Sequence, residues 1–529
     1  MKKPTLLIGL SASLLIILTV CLQSNSVEAS SSTIQVKPAE KLSTVSSLIY
    51  GAAIEWADNG NGLYDEKSQS LRQDILDLLK PLRLTVLRFP GGILSDYYHW
   101  RDGVGARGAR PSREHPMEKS QQKNTFGTDE FIEVCRQLGT ESLITANYGT
   151  GTIDEAIEWK AYFRDHDFPV RYWEIGNEIY LTENNDNAPI PGNDKRIYRS
   201  AGSYAHDFKL WAGRLRENDP DVRVGAIAGT YNAPSTHKNW LEVLLSTAGS
   251  DIDFIALHDS FAPIILETYD FNKESKRLDA YLSMFAQASF VSDDVRQVKS
   301  RFASARPRRG TDIAITEHFP LFGAGGNEKQ MRNILDQSRT LAAALYTASL
   351  FHTYMREKVW MANYNIVTSK WFGALVTDTE EGLVRTPTYH VYDLYRNHFG
   401  KTLVSCNIAG PTFSTKRIGV VDAAEGLPAL DAVASTDDDG TVYLAVINHS
   451  LMAEQTATLT VDGISSDRRA EVMTLAGPGP HAINGPALSK STKAGAKDNV
   501  GVSRSEWTAG TSSTYTFGPS SLTVFRWKQ

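Results

Sequence analysis

Cysteine is scarce in this 529-residue chain, which holds only Cys21, Cys135 and Cys406. So few cannot build a disulfide framework, and the fold must rest on burial of apolar surface. No Cys/His cluster has zinc spacing, and no Gly-rich phosphate loop follows an apolar strand. The sequence gives no reason to expect a metal or nucleotide cofactor. It also lacks an excess of one charge: 55 Lys and Arg stand against 61 Asp and Glu, a net −6. Neither nucleic acid nor anionic lipid is the expected partner of such a surface. Nothing in composition or motif excludes a homo-oligomer.

The N-terminus carries a processing signal. Lys2 and Lys3 precede an apolar run from about Leu6 to Leu22, which leads to Val27-Glu28-Ala29. A basic start, an apolar segment and small residues at −3 and −1 make a secretory signal peptide, with cleavage expected after Ala29. Val20 stands where a lipoprotein signal carries Gly, Ala or Ser, which argues against lipidation of Cys21. The expectation is a secreted or periplasmic protein with no stable membrane span after cleavage. The alternative is a membrane anchor retained through the same segment.

With 41% hydrophobic and 22% charged residues, the chain can bury a large core and more than one domain. From residue 48 to about 365, apolar runs alternate with longer helical patterns. The expected strands are Ile49–Ile54, Thr85–Phe89, Ser142–Asn147, Arg171–Ile175, Arg223–Ile227, Phe254–Leu257, Asp312–Thr316 and Lys358–Asn363. Amphipathic segments between them include Gln69–Leu79, Thr128–Leu138, Ile153–Arg164, Ala201–Glu217 and Gln330–Tyr354. Such alternation implies a parallel sheet covered by helices, and eight units fit a (β/α)8 TIM barrel over residues 48–398. A doubly wound open sheet is the alternative.

Beyond about residue 400 the pattern changes to strands without helices. Leu430–Ala434, Thr441–Asn448, Gln455–Val461, Arg469–Thr474 and Ser521–Trp527 are separated by Gly, Asp and Ser turns. A C-terminal β-sandwich over residues 399–529 is expected, with Gly477–Gly501 as a long loop. Thr33–Val36, within residues 30–47, reads as a further strand that could join that sheet and cover one of its edges.

In a parallel barrel the chemistry sits at the C-terminal strand ends. Strand one runs into Glu55, strand four reads Trp173-Glu174-Ile175-Gly176-Asn177-Glu178, and strand seven ends Ile315-Thr316-Glu317-His318. Strands four and seven face each other across the mouth, so Glu178 and Glu317 converge there. Glycosidic cleavage needs such a pair: one acid protonates the leaving oxygen while the other attacks the anomeric carbon or activates water. The short motifs alone carry no weight. Gly326-Asn327-Glu328 repeats Gly-Asn-Glu and Thr182-Glu183 repeats Thr-Glu, and neither closes an apolar strand.

Longer motifs carry a resemblance. Arg88-Phe89-Pro90-Gly91-Gly92 is followed by Trp100-Arg101-Asp102-Gly103-Val104-Gly105, Phe126 to Phe131, Asn147-Tyr148-Gly149-Thr150-Gly151, Trp173 to Glu178, and Leu257-His258. Leu430-Asp431-Ala432 and Ala445-Val446-Ile447-Asn448 follow in the second domain. In this order the chain resembles the α-L-arabinofuranosidases of glycoside hydrolase family 51, from about Leu48 to the C-terminus. The resemblance implies Glu178 as acid/base, Glu317 as nucleophile, and retention of configuration on a polysaccharide or oligosaccharide. It implies that Asn177 bonds the sugar 2-hydroxyl, with a strand-end turn residue as the alternative, and that Glu55 binds substrate hydroxyls, with a buried structural ion pair as the alternative.

Four further residues are candidates at the site. Arg88 would hold Glu317 ionised, or would pair structurally with Glu174. His258 ends strand six and would hydrogen-bond the nucleophile or substrate, or serve as a core histidine. Trp100 and Trp371 would wall a sugar ring, or pack in the core.

Three positions depart from the family pattern. Ile93 stands where the family carries Asn after Pro-Gly-Gly, Ser260 where it carries Tyr, and Asn363 where it carries Gln at strand eight. Such positions read hydroxyls, so reaction class transfers better than sugar preference. Two readings stand beside arabinofuranoside cleavage: a xylan- or glucan-cleaving enzyme on the same scaffold, and an inactive carbohydrate-binding surface protein.

Overall fold

A computed structural model describes residues 32–116, 119–182, 199–229, 239–258, 260–265, 269–323, 327–370, 373–508 and 514–528. The signal segment over residues 1–29 and Trp371 lie outside the described residues.

Eight parallel strands form the barrel: β1 (Gly51–Ala53), β2 (Val86–Phe89), β3 (Glu141–Ala146), β4 (Tyr172–Ile175), β5 (Arg223–Ile227), β6 (Phe254–Leu257), β7 (Asp312–Leu321) and β8 (Met361–Tyr364). Each pairs with the next in chain order. The cylinder closes where Asn363 and Tyr364 of β8 pair with Gly51 and Ala52 of β1. Every residue of β2, β4, β6 and β8 is buried, because one face fills the barrel and the other lies under helices. The closed cylinder excludes the doubly wound alternative.

Local chemistry moves some expected boundaries. Ile49–Ile54 is not all strand: Ser47–Tyr50 is a 3-10 turn begun by the Ser46 hydroxyl, which accepts from Leu48 N–H. At Gly51 a Cβ would stand 2.5 Å from Val86 Cγ1 and 2.7 Å from the Ala362 carbonyl, so this short strand fits its neighbours only as glycine. Gln330–Tyr354 is two helices, Glu328–Gln337 and Leu341–Arg356. The Thr340 hydroxyl caps the second at Ala343 N–H, and the Pro480 and Ala482 carbonyls accept from Ala342 and Leu341. A hydroxyl cap and carbonyls from a distant loop end one helix and begin another within three residues.

The second domain contains β9 (Thr402–Ala409), β10 (Leu430–Thr436), β11 (Val442–Asn448), β12 (Gln455–Val461), β13 (Arg469–Ala476), β14 (Gly501–Thr508), β15 (Thr514–Phe517) and β16 (Ser521–Trp527). With the N-terminal strand Ser32–Thr44 they make one nine-stranded sheet. Its order is β14-β13-β16-β11-β10-β9, the N-terminal strand, then β12-β15. The N-terminal strand occupies an interior place, antiparallel to β9 and parallel to β12. The sheet curls over on itself: Trp507 of β14 and Tyr515 of β15, at opposite ends of the order, have ring centroids 5.9 Å apart. The two halves thus face each other as a sandwich.

Strand β11 shows how this domain meets the barrel. Val442, Leu444 and Val446 enter the sandwich core, while Tyr443, Ala445 and Ile447 join the continuous barrel core. Alternation that would normally leave one face wet here buries both. Asp431 of β10 bonds His352 Nδ1 at 2.8 Å and Arg356 Nη2 at 2.5 Å on the helix Leu341–Arg356. The Gly477–Gly501 loop is tied to the barrel as well, with Asp336 accepting from the Leu488 and Ser489 N–H groups.

Candidate active site

Arg88 on β2 organises the barrel mouth. It is fully buried and divides its donors three ways: Nε to Glu174 Oε2 at 2.8 Å, Nη1 to Glu317 Oε1 at 2.5 Å, and Nη2 to Asn177 Oδ1 at 2.7 Å. Arg88 therefore contacts both Glu174 and Glu317 at once, since its planar fork can serve two carboxylates. Glu174 also accepts from Thr145 at 2.9 Å and from Thr316 at 2.6 Å. Burial opposes the guanidinium charge, but Glu174 and Glu317 outweigh it and hold Arg88 above its ordinary pKa.

Thr316 and Glu317 are adjacent on β7, and alternation would send them to opposite faces. The β7–β8 pairing shifts register between Ile315 and His318, an irregularity of the β-bulge kind at this step. With alternation broken there, both side chains reach the polar cluster, Thr316 at Glu174 and Glu317 at Arg88. Burial raises Glu317 above the usual carboxylate range, and Glu178 adds to it. His258 and Arg88 oppose that rise without cancelling it. Arg88 thus favours the ionised form as expected, but does not set the balance alone.

Glu178 follows β4 on a turn through left-handed backbone, with φ +75° at Gly176 and +47° at Glu178 itself. Its Oε1 lies 2.9 Å from His258 Nδ1, and His258 Nε2 lies 2.8 Å from Thr316 Oγ1. The single hydroxyl proton of Thr316 goes to Glu174, so Thr316 accepts from His258 and Nε2 carries a proton. His258 thus bonds Glu178 rather than Glu317. Burial lowers its pKa, yet Glu317 and Glu178 outweigh that and leave it raised.

One donor or acceptor atom from each of Glu178, His258 and Glu317 lies within 4.8 Å of the others. By distance the three could hold a cation. The Arg88 guanidinium on Glu317 supplies a positive charge there already.

Glu55 sits half-buried beside this group. Its Oε2 accepts from Asn61 Nδ2 at 3.1 Å. Burial pushes its carboxyl up to about 7, with the Asn61 bond opposing and the Glu317 charge adding. Two adjacent glycines make room here: a Cβ on Gly91 would stand 2.5 Å from Glu55 Cγ, and one on Gly92 would stand 2.7 Å from Glu317 Oε1.

The remaining candidates separate from this group. Trp100 donates Nε1–H to the Glu155 carbonyl at 2.9 Å and packs on Tyr162 and Arg101. It lines a small cavity with Tyr98, Asn147 and Trp159 that includes neither Glu178 nor Glu317. Asn363 is fully buried in the barrel and donates to the Ala52 carbonyl at 3.2 Å, so it is a strand-closing residue in this structure. Ser260 is also committed inward: its carbonyl accepts from Tyr346 and its hydroxyl bonds Tyr354. Ile93 is half-buried in the 3-10 turn Ile93–Tyr97.

One residue escaped the sequence reading. Asp96, in that same turn, is buried and accepts from the backbone N–H groups of Tyr148, Gly149 and Asn177 at 3.2, 3.1 and 2.9 Å. Burial pushes its carboxyl up to about 7 against those three bonds. An acid in an irregular turn has no periodicity to mark it, and its partners lie 52 to 81 residues away.

Comparison with known proteins gives a consistent picture. The profile of the α-L-arabinofuranosidase C-terminal domain matches residues 322–521, and that of the α-L-arabinofuranosidase 1 domain matches residues 78–166. α-L-Arabinofuranosidase C of Emericella nidulans is 27% identical over 534 residues, covering 94% of this chain and 97% of the relative. The crystal structure of the Thermotoga maritima α-L-arabinofuranosidase, an arabinose complex, superposes with a TM-score of 0.75 at 26% identity, covering 94% of this chain and all of that one. The thermostable GH51 α-L-arabinofuranosidase of Thermotoga petrophila gives 0.73 at 26% identity, with the same shares covered. Among the described residues, no helix is long and apolar enough to cross a membrane.

Proposed function

This chain belongs with the α-L-arabinofuranosidase-like glycoside hydrolases of family 51, and on that premise we propose that it releases α-L-arabinofuranosyl residues from polysaccharide or oligosaccharide by double displacement, with Glu178 as acid/base and Glu317 as nucleophile. The carboxylate separation carries this reading. Oxygens of Glu178 and Glu317 approach within 4.8 Å. Such an approach supports the short spacing of a retaining pair, whose carboxyl groups stand about 5–5.5 Å apart, where inverting pairs stand about 6.5–9.5 Å apart to leave room for water.

In the first step Glu178 gives its proton to the glycosidic oxygen as the C–O bond breaks, and a Glu317 oxygen bonds the anomeric carbon. In the second, Glu178 takes a proton from water, whose oxygen displaces Glu317 and restores the original configuration. Arg88 orients Glu317 through Oε1. Because the Nε2 proton of His258 is committed to Thr316, the Nδ1···Glu178 contact is satisfied by one shared proton, on either partner. That proton is the one the leaving group needs. Asn177 Nδ2 is buried without a partner among the described residues, a donor free for a sugar hydroxyl.

Ser260 is committed inside the fold through its hydroxyl and carbonyl, and Asn363 is fully buried with its amide N–H on the Ala52 carbonyl, its Oδ1 having no partner among the described residues. That observation favours a second reading, a glycosidase of the same chemistry on a xyloside or glucoside. Export is part of the proposal, supported by the basic and apolar pattern of residues 1–29.

Hydrolysis of aryl α-L-arabinofuranoside, β-D-xyloside and β-D-glucoside separates these readings, and proton NMR of the first-formed anomer tests retention. Preference for the arabinofuranoside with retained configuration is expected. Preference for another glycoside would move the specificity, an inverted product would remove the double displacement, and inactivity on these and on polysaccharides would leave a binding protein.

A further inference from the structure

We infer that Asp96 is a positioning residue for the acid/base: its carboxylate clamps the loops after β2, β3 and β4 into one unit and so fixes where Glu178 stands. The inference rests on the proposed acid/base role of Glu178.

Glu178 is poorly held by its own side chain, whose hydrogen bond among the described residues is to His258. Its backbone is in the left-handed region, at φ +47°, one residue after Asn177 and two after Gly176. A non-glycine residue persists there when its surroundings over-determine it. The Asn177 N–H, immediately before Glu178, donates to Asp96 Oδ2 at 2.9 Å. Asp96 Oδ1 takes the Tyr148 and Gly149 N–H groups of the loop after β3. The Asp96 carbonyl accepts Thr150 N–H at 3.0 Å and Thr150 Oγ1–H at 2.9 Å, which fastens the clamp from its other side. Gly149 permits the approach, since a Cβ there would stand 2.7 Å from Asp96 Cβ.

Only an acceptor at both oxygens satisfies three N–H donors from two loops. A carboxylate does so and an amide does not, because its NH2 would face a backbone N–H. Asp96→Asn therefore shifts the segment carrying Glu178, while Asn177 remains tied to Arg88 through its side chain. A displacement near 1 Å costs on the order of 10²-fold when the displaced group must meet a reacting atom.

The test is leaving-group dependence. Asp96→Asn is assayed on a natural arabino-oligosaccharide, whose leaving oxygen must be protonated, and on a dinitrophenyl arabinofuranoside, which leaves unaided. The first is expected to fall about 10²-fold in kcat/KM and the second at least about tenfold less. Thr150→Val, which removes the hydroxyl half of the outer fastening together with the Asn147 Nδ2 contact and leaves the backbone N–H bond in place, is expected to show the same selectivity at smaller size, and supplies the readout if Asp96→Asn does not fold. Equal loss on both substrates, or no loss, would overturn the inference. Glu178→Ala controls the underlying reading. If it shows the leaving-group selectivity and azide rescue of an acid/base variant while Asp96→Asn loses activity uniformly, only the Asp96 inference falls. If Glu178→Ala shows neither, the acid/base assignment falls first.

Discussion

Arg88 Nη1 lies 2.5 Å from Glu317 Oε1, and neither side chain is more than 6% exposed. The same guanidinium holds Glu174, so one side chain is paired with two buried carboxylates. Arg88→Met would leave both without their charge partner. Breaking a buried pair from one side costs about 3–5 kcal/mol, and a denaturant midpoint should fall accordingly, together with activity. A variant of native stability would show that the two carboxylates can be held by other means.

Glu178 and Glu317 should respond differently to removal. Glu178→Ala is expected to lose about 10²–10⁴-fold on poor leaving groups and less on activated aryl glycosides. Glu317→Gly should lose more on both, and external azide should give it a glycosyl azide of inverted configuration. Substantial residual hydrolysis by a Glu317 variant would remove the nucleophile assignment.

Thr316→Val tests the proton line. The hydroxyl gives its proton to Glu174 and forces His258 to carry one on Nε2. Without it the imidazole can turn its proton to Nδ1 and donate to a Glu178 carboxylate as a neutral ring. The raised pKa of His258, where Glu317 and Glu178 outweigh burial, would then fall. The alkaline limb of the kcat/KM profile should move to lower pH. A limb that stays in place would mean the Thr316 contact does not govern the shared proton.

The seam between the domains predicts a stability slope. Burial lowers His449 to about 4 from an ordinary 6.5, with the Asp431 charge opposing. Between those values the unfolded chain holds a proton that the folded chain does not. Stability therefore rises with pH across that window and is lost as the medium is acidified through it. The slope from this group is at most about 1.4 kcal/mol per pH unit. His449→Asn should flatten the change in unfolding free energy between pH 4 and 6.5. Identical slopes for the two proteins would show that His449 is not the group responsible.

What the sequence by itself determined is whatever a short stretch of chain encodes. Alternating apolar runs and helical patterns place Glu178 just past strand four and Glu317 on strand seven, which the structure extends from the expected Thr316 to Leu321, and Phe254–Leu257 and Gln455–Val461 appear with the same bounds in the structure. Burial periodicity is local, so such elements can be read directly. Partner choice is not local. His258 was legible as a strand-end residue, but only the folded barrel joins it to Glu178, 80 residues earlier, and not to Glu317. Asn363 reads as a site residue and closes the barrel at Ala52, because strand position names a rim and not a direction. The register shift in β7 breaks alternation at Thr316 and Glu317, and it arises from pairing with β8 about 45 residues on. The tertiary structure alone decided which charges meet. In a buried site each donor must find an acceptor among groups brought from several strands, and that pairing is solved in three dimensions.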